Sequence, residues 1–176
     1  MKKIILFIPC YNCEKQIIKT LDQINNHFKD YINSILIIDN GSKDNTIQNA
    51  LNFFKRNNIK NFSILLNKDN YSLGGSHKVA FNYMIKNDYD YLITIHGDNQ
   101  GDIRDIINIF KDKSFLNYDC MYGARFHPMS KLINYSKIRI FGNILFNFIF
   151  TILLRKKIYD IGSGLNVYSK NFLENK

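Results

Sequence analysis

The sequence predicts an α/β fold with a mostly parallel central sheet and helices on both faces. Three observations lead to it. Short apolar runs alternate with helix-period segments in the order β-α-β-α-β, the pattern of strands joined by helical crossovers. The runs are rich in β-branched and aromatic residues, and several end in a turn signal. The chain has 176 residues, 45% of them hydrophobic, with two prolines. That suits one domain with a real core, and it excludes a disordered tail or a Pro-rich linker protein.

In chain order, the first strand is expected at Lys3–Ile8. The two lysines and the apolar run before Pro9 resemble a signal peptide, but the run is short and no small-residue cleavage site follows. Glu14–Phe28 follows as a helix, with Ile17, Ile18, Leu21, Ile24 and Phe28 on one stripe. Ser34–Asp39 is the next strand. In the helix Asn45–Phe54, Ile47, Ala50, Leu51 and Phe54 share a face. Phe62–Leu66 and Tyr91–His96 are strands flanking a helix at Gly75–Ile85. Asp102 caps a helix over Asp102–Phe110, and Asp119–Tyr122 is a further strand. The longest apolar stretch, Phe141–Leu154, has 14 residues and two Asn. That is too short to span about 30 Å of hydrocarbon, so it reads as a buried or interfacial helix, and no transmembrane helix is expected.

The chain carries 24 Lys and Arg against 15 Asp and Glu, a formal charge of +9. No acidic residue occurs from Cys120 to Tyr159, a stretch holding Arg125, Lys131, Lys137, Arg139, Arg155, Lys156 and Lys157. Such a segment suits a phosphate-bearing partner or an anionic membrane surface. Nucleic acid is disfavoured, because no helix-turn-helix, RNP or zinc-finger signature accompanies the charge. Three cysteines are too few for a disulfide scaffold, and the odd count points to a reducing compartment. Cys10 and Cys13 have C-x-x-C spacing, which raises a redox or zinc site. Only Cys120 accompanies them, so that role is set aside.

In a sheet of this kind ligands bind beyond the carboxyl ends of the strands. The strand ends carry IPCYN, IDNGSKDNT and HGDNQGD. Asp39 at a strand tip can accept hydrogen bonds from a base or ribose, and Gly41 permits a tight turn beside it. Gly74 and Gly75 precede a helix, where close backbone approach and a helix N-terminus favour phosphate. His96, Asp98 and Gln100 alternate, so in an extended stretch they point the same way. They could hold a Mg²⁺ or Mn²⁺ bridging a diphosphate. The plainer reading is a polar turn with Asp102 capping the next helix.

Together these segments resemble family 2 glycosyltransferases of the GT-A fold. FIPCYNCEKQI is similar to their opening IPxYNEExxI, and ILIIDNGSKDNT to VVDDGSxDxT. NYSLGGSHKVAFNYMI resembles the approach to their third helix, and LITIHGDNQGDI their metal-binding DxD region. YGARF, Arg139 and DIGSGLNVYS resemble elements of the dolichyl-phosphate mannose synthase branch. The resemblance implies a nucleotide-sugar-binding half at 1–100 and an acceptor half at 101–176, within one domain expected to lack its C-terminal end. Pro9, Tyr11 and Asn12 would line the nucleotide pocket and Asp39 would contact base or ribose. Asp98 would be the principal metal ligand, with Gln100 behind it and His96 at the first DxD position. Arg125 and Arg139 would grip the acceptor phosphate. Cys13 and Asn40 stand where the family has Glu and Asp.

The implied activity is inverting transfer of a sugar from a nucleotide-diphosphate sugar. No Asp or Glu base is evident in the acceptor half before Asp160, which favours an already ionised polyprenyl phosphate over a glycan hydroxyl. The expected location is cytoplasmic, peripheral on the inner face of the cell membrane. The alternatives are a truncated or non-catalytic nucleotide-binding remnant, or a transferase acting on a glycan hydroxyl.

Overall fold

In the computed structural model, which describes residues 2–130 and 136–174, the fold is organised around β1, Ile4–Cys10. Its sequence, IILFIPC, has no solvent-facing position, and all seven residues are buried. Side chains alternate across a strand. Ile4, Leu6, Ile8 and Cys10 therefore pack with α1 (Ile17–His27) and α2 (Thr46–Arg56), through residues such as Leu21, Ile24 and Phe54. Ile5 and Phe7 point the other way, against Ala80 and Met84 of α3 (Ser72–Lys86). A strand covered on both faces needs a continuous apolar run, and this explains the sequence.

β2 (Ser34–Asp39) and β3 (Phe62–Leu66) extend the sheet on one side of β1, and β4 (Tyr91–Ile95) joins it on the other. All three contacts are parallel. β5 (Cys120–Tyr122) and β6 (Leu165–Ser169) complete the order β3-β2-β1-β4-β6-β5, with β6 antiparallel to β4. The mostly parallel α/β architecture matches the expectation.

Several elements differ in detail. β1 runs through Pro9 and Cys10, which stay in register with Ile38 and Asp39 of β2. The helix expected at Asp102–Phe110 is a 3₁₀ turn at Ile103–Ile106 followed by α4 (Ile107–Lys111). Asp102 does cap it, accepting the Arg104 N–H at 2.9 Å. β6 and the short α6 (Lys170–Glu174) were not foreseen.

The chain forms two compact units. One comprises the chain up to Met121 together with Leu165 onward; the other is Tyr122–Gly164. The second unit contains α5 (Lys137–Leu154), which differs most from its sequence reading. The apolar stretch is helical from Lys137, so the helix has 18 residues and measures about 27 Å. It is long and apolar enough, by length and composition, to cross a membrane. Nor is it a core helix. Asn147 is its one buried residue, while Phe141, Phe148 and Leu153 are 72%, 61% and 68% exposed. Its inward stripe is Ile140, Asn143, Asn147, Phe150 and Thr151. Asn147 Nδ2 donates to Tyr159 O at 2.7 Å, and Ile158 N–H donates to Thr151 Oγ1 at 3.0 Å. Asn147 and Thr151 thus bond within this unit, while most of the helix's large apolar side chains are exposed.

Phe7 has no solvent exposure and meets His77 edge-on at 5.2 Å between ring centroids. Phe7→Ala is expected to destabilise the chain by about 3–5 kcal/mol, read as a lower urea midpoint with an unchanged slope.

Candidate functional site

Strand order reverses direction at β1, since β2 and β3 lie on one side and β4 on the other. Ligand crevices form at such a switch point. A cleft of about 310 Å³ opens there. From the end of β1 it is lined by Pro9, Cys10, Tyr11 and Cys13, and from the end of β4 by His96 and Asp98. Asn40 after β2, and Asn70, Ser72, Leu73 and Ser76 around the start of α3, complete it.

The loops after β1 and β2 are clasped by reciprocal hydrogen bonds. Asn12 N–H donates to Ser42 Oγ at 2.9 Å, and Asn12 Oδ1 accepts the Lys43 N–H at 2.9 Å. Glu14 N–H donates to Asp44 Oδ2 at 3.0 Å, and Glu14 Oε2 accepts the Asn45 N–H at 3.0 Å. Asn12 takes a left-handed conformation, φ 49°, which Asn tolerates better than most residues. It is therefore a positioning residue of the loop and does not line the cleft.

Asp39 is likewise not among the residues lining the cleft. It is buried, and its carboxylate accepts the Ser42 N–H at 2.9 Å and the Ser42 hydroxyl at 2.5 Å. The turn that holds it passes through Gly41 at φ +85°, a conformation that suits glycine. Asn40 faces the cleft instead. Its Oδ1 accepts from Asn67 Nδ2 at 2.9 Å and Tyr71 N at 3.0 Å, and its Nδ2 donates to Asn70 Oδ1 at 2.7 Å. An Asp there would oppose its oxygen to that of Asn70, so this network requires the amide that departs from the family pattern.

Gly74 and Gly75 lie inside the first turn of α3 rather than before it, because Asn70 Oδ1 accepts the Ser72 N–H and starts the helix three residues earlier. Their neighbours Leu73 and Ser76 line the cleft. A Cβ on Gly74 would meet no other atom within 4 Å, whereas one on Gly75 would collide with Tyr71.

After β4 the chain turns instead of staying extended, with Asn99 at φ 59°. Asp98 Oδ1 accepts the Gln100 N–H at 3.2 Å. His96 and Asp98 consequently share the cleft, while Gln100 is exposed and outside its lining. Among the described residues no three His, Cys, Asp or Glu side chains cluster as a ready-made metal site. One imidazole and one carboxylate still suit a divalent cation that takes its remaining ligands from substrate phosphates and water.

In the second unit, Arg125 is engaged. Its Nε donates to Asp160 Oδ2 at 2.7 Å, its Nη2 to Asp160 Oδ1 at 2.9 Å and to Gly162 O at 2.8 Å. Asp160 thus lies along one edge of the guanidinium that the sequence reading assigned to acceptor phosphate. Arg139, near the start of α5, is exposed. Asp160 was not foreseen as a site residue, and the signal was present as the first residue of the quoted DIGSG. Its side chain is fully buried. Burial pushes its carboxyl up, but the Arg125 side chain and N–H, the guanidinium charge and the Gly162 N–H outweigh this and hold it below the usual carboxylate value.

The sheet order, with a cleft at its switch point, is that of a doubly wound α/β protein, and its likeness to the solved structures below is that of the GT-A fold. The family model "Glycosyl transferase family 2" matches residues 5–175, and the chain belongs to that family. It is 29% identical over 168 residues to an uncharacterised protein of Methanocaldococcus jannaschii, covering 95% of this chain and 65% of that protein. It is also 29% identical over 183 residues to the UDP-N-acetylglucosamine–dolichyl-phosphate N-acetylglucosaminyltransferase of Methanococcus voltae, covering 98% and 72%. Among solved structures, glucosyl-3-phosphoglycerate synthase of Mycobacterium tuberculosis with Mn²⁺, UDP and glucosyl-3-phosphoglycerate superposes with a TM-score of 0.69 at 14% identity, covering 97% of this chain and 57% of that one. A Pyrobaculum calidifontis mannosyltransferase in complex with GDP-Man and Mn²⁺ gives 0.65 at 14% identity, covering 98% and 46%. The chain thus spans 65–73% of the length of the curated relatives and about half of these two solved chains.

The Asp160 shift has a pH consequence. Its folded-state pKa lies below the unfolded value, so its stabilisation is complete above the unfolded pKa and is lost as pH falls through the folded one. Asp160→Asn is expected to leave Arg125 without its charge partner, at a cost of about 3–5 kcal/mol near neutral pH. In acid-titration unfolding curves the gap between variant and parent should close as pH falls below the ordinary carboxylate range.

Proposed function

We propose that the chain is an inverting glycosyltransferase that binds a nucleotide-diphosphate sugar in the β1–β4 cleft and transfers the sugar to a polyprenyl phosphate. The observation that carries this is the convergence of Asp98, His96, Asn40 and the first turn of α3 on one cleft at the switch point. Two relatives support the donor and metal. The solved synthase is a complex with Mn²⁺ and UDP, and the mannosyltransferase one with GDP-Man and Mn²⁺. The acceptor reading rests on the dolichyl-phosphate named for the M. voltae relative.

In this reading Pro9 and Tyr11 border the nucleotide and Asn40 presents a fixed amide edge to it. The N–H groups at the start of α3 face the phosphates. Asp98 and His96 would hold a Mn²⁺ or Mg²⁺, which supplies charge neutralisation for the departing diphosphate. An acceptor phosphate is ionised at neutral pH and needs orientation rather than a base. Arg139 is the exposed arginine suited to that task, while Arg125 holds Asp160. A glycan hydroxyl would need a base, and Asp160, kept anionic by its arginine, is a weak one.

The same reading puts α5 against an anionic membrane on the cytoplasmic face. Its apolar side chains point outward, and Lys137, Arg139, Arg155, Lys156 and Lys157 flank them. Each cation near such a surface contributes about 1 kcal/mol.

Titration calorimetry with UDP and GDP, with and without Mn²⁺, tests the donor site. Binding of one nucleotide, tightened by Mn²⁺ and losing about tenfold or more of that gain in Asp98→Ala, is expected. No metal-dependent binding to either would refute a transferase and leave a non-catalytic remnant. Flotation should recover more chain with anionic vesicles than with neutral ones, and added salt should narrow the difference. Equal recovery would refute the anionic surface.

A further inference from the structure

Cys10 and Cys13 are the one motif of the sequence that the donor-site reading leaves without a task. Both side chains are buried against the protein, at 2% and 3% exposure, yet both border the cleft. Their sulfurs converge on one point. A Cβ placed on Gly97 would lie 2.8 Å from Cys10 Sγ and 3.0 Å from Cys13 Sγ. The thiols therefore fill the space beside the backbone between His96 and Asp98. The Cys10 thiol donates to Ile8 O at 3.7 Å; the Cys13 side chain beside it and burial raise the Cys10 pKa, while the Cys10 side chain lowers that of Cys13. Thr46 Oγ1, which donates to Asp44 Oδ1 at 2.6 Å, lies 3.9 Å from Cys13 Sγ.

The local frame resembles other reactive dithiols in physical terms. Cys10 ends a strand, the chain bends at Tyr11 and Asn12, and Cys13 opens the turn that leads into α1, where its carbonyl accepts the Gln16 and Ile17 N–H groups at 3.0 and 2.9 Å. Thiols paired in a C-x-x-C at the approach to a helix are the ones in which exchange with disulfides is favoured. Cys120 is on β5.

We propose that Cys10 and Cys13 form a reversible disulfide-modification site in the wall of the nucleotide cleft, and that its closure lowers nucleotide affinity. The nucleotide consequence rests on the donor-site reading above. The oxidant is a small-molecule disulfide. The Cys13 thiolate attacks one of its sulfurs and expels the first thiolate, giving a mixed disulfide at Cys13. Cys10 then loses its proton and attacks Cys13 Sγ, and the second thiolate leaves. Two protein thiols and one disulfide become one protein disulfide and two small thiols. An S–S bond of about 2.05 Å is shorter than any contact between two free thiols, so closure draws the sulfurs together. It moves them from the Gly97 backbone, and with them the Tyr11–Asn12 bend and the loop carrying His96 and Asp98.

The test uses the chain as it stands, treated with glutathione disulfide or left reduced, with three readouts: thiol count after denaturation, peptide mapping, and UDP and GDP affinity. Of the three cysteines, one free thiol should remain, with the bridge mapped to Cys10–Cys13. Affinity should fall about tenfold and return on reduction with a dithiol. Cys13→Ser should bind nucleotide with an affinity that no longer responds to the oxidant, whereas Cys10→Ser should stop at the mixed disulfide on Cys13, read as the added mass of one glutathione with no internal bridge. Three surviving thiols, a bridge to Cys120, or a bridged chain of unchanged affinity would each overturn the proposal. If the reduced chain binds neither nucleotide, the donor-site reading fails, while thiol count and mapping still decide the modification site.

Discussion

The close approach of Gly97 to β1 is the constraint on which the cleft depends. The Gly97 N–H donates to Pro9 O at 3.1 Å, continuing the parallel pairing of β1 and β4 past the last paired strand residues. Only a residue without Cβ fits there, because two sulfurs and the Pro9 carbonyl occupy the space. That contact brings His96 and Asp98, which follow β4, into the same cleft as Pro9 near the end of β1 and Tyr11 just after it. Thr20 Oγ1 donates to Gly97 O at 3.3 Å, so α1 holds the other side of the same peptide. Sheet order, helix packing and site geometry meet at one backbone segment.

What could be read from the sequence follows from how each residue is satisfied. β1, β2 and β4 were legible because strands buried on both faces must be continuously apolar. β6 was not, since Leu165–Ser169 includes Asn166 and Ser169, which are buried polar residues. Their place comes from pairing with β4 and from the Ser169–Asp119 hydrogen bond at 3.0 Å, partners distant in sequence. The cleft's location at the strand ends was legible for the topological reason that strand order reverses at β1. Which residue of each loop faces it was not. Ser42 engages the Asp39 carboxylate, Asn99 breaks the alternation that would have aligned Gln100, and Asn70 begins α3 before its glycines. Each outcome depends on a short polar side chain competing for backbone groups, which periodicity does not encode.

The basic segment shows the same limit for charge. Counting residues assigns Arg125 to an excess of cations. Its partner, Asp160, lies just past the acid-free stretch, 35 residues away. The pair replaces one free cation by a fixed strut joining residue 125 to the 160–162 turn, with Gly162 bonded to both members. The remaining cations of the described segment lie at Lys137, Arg139 and Arg155–Lys157, at the two ends of α5.

α5 is where magnitudes decide between readings. Ten large apolar side chains on this helix are exposed, from Ile138 to Leu154. Taking one such side chain out of water contributes about 1.5–3 kcal/mol, whereas a cation near an anionic surface contributes about 1 kcal/mol. Burial of even half of the outer face therefore outweighs all five flanking charges. In the proposed membrane reading, charge would select the surface met and apolar contact would set the strength of the encounter. In that reading an apolar medium would favour side chains whose hydrogen bonds are made within the protein, as Asn147 makes with Tyr159 O and Thr151 with the Ile158 N–H.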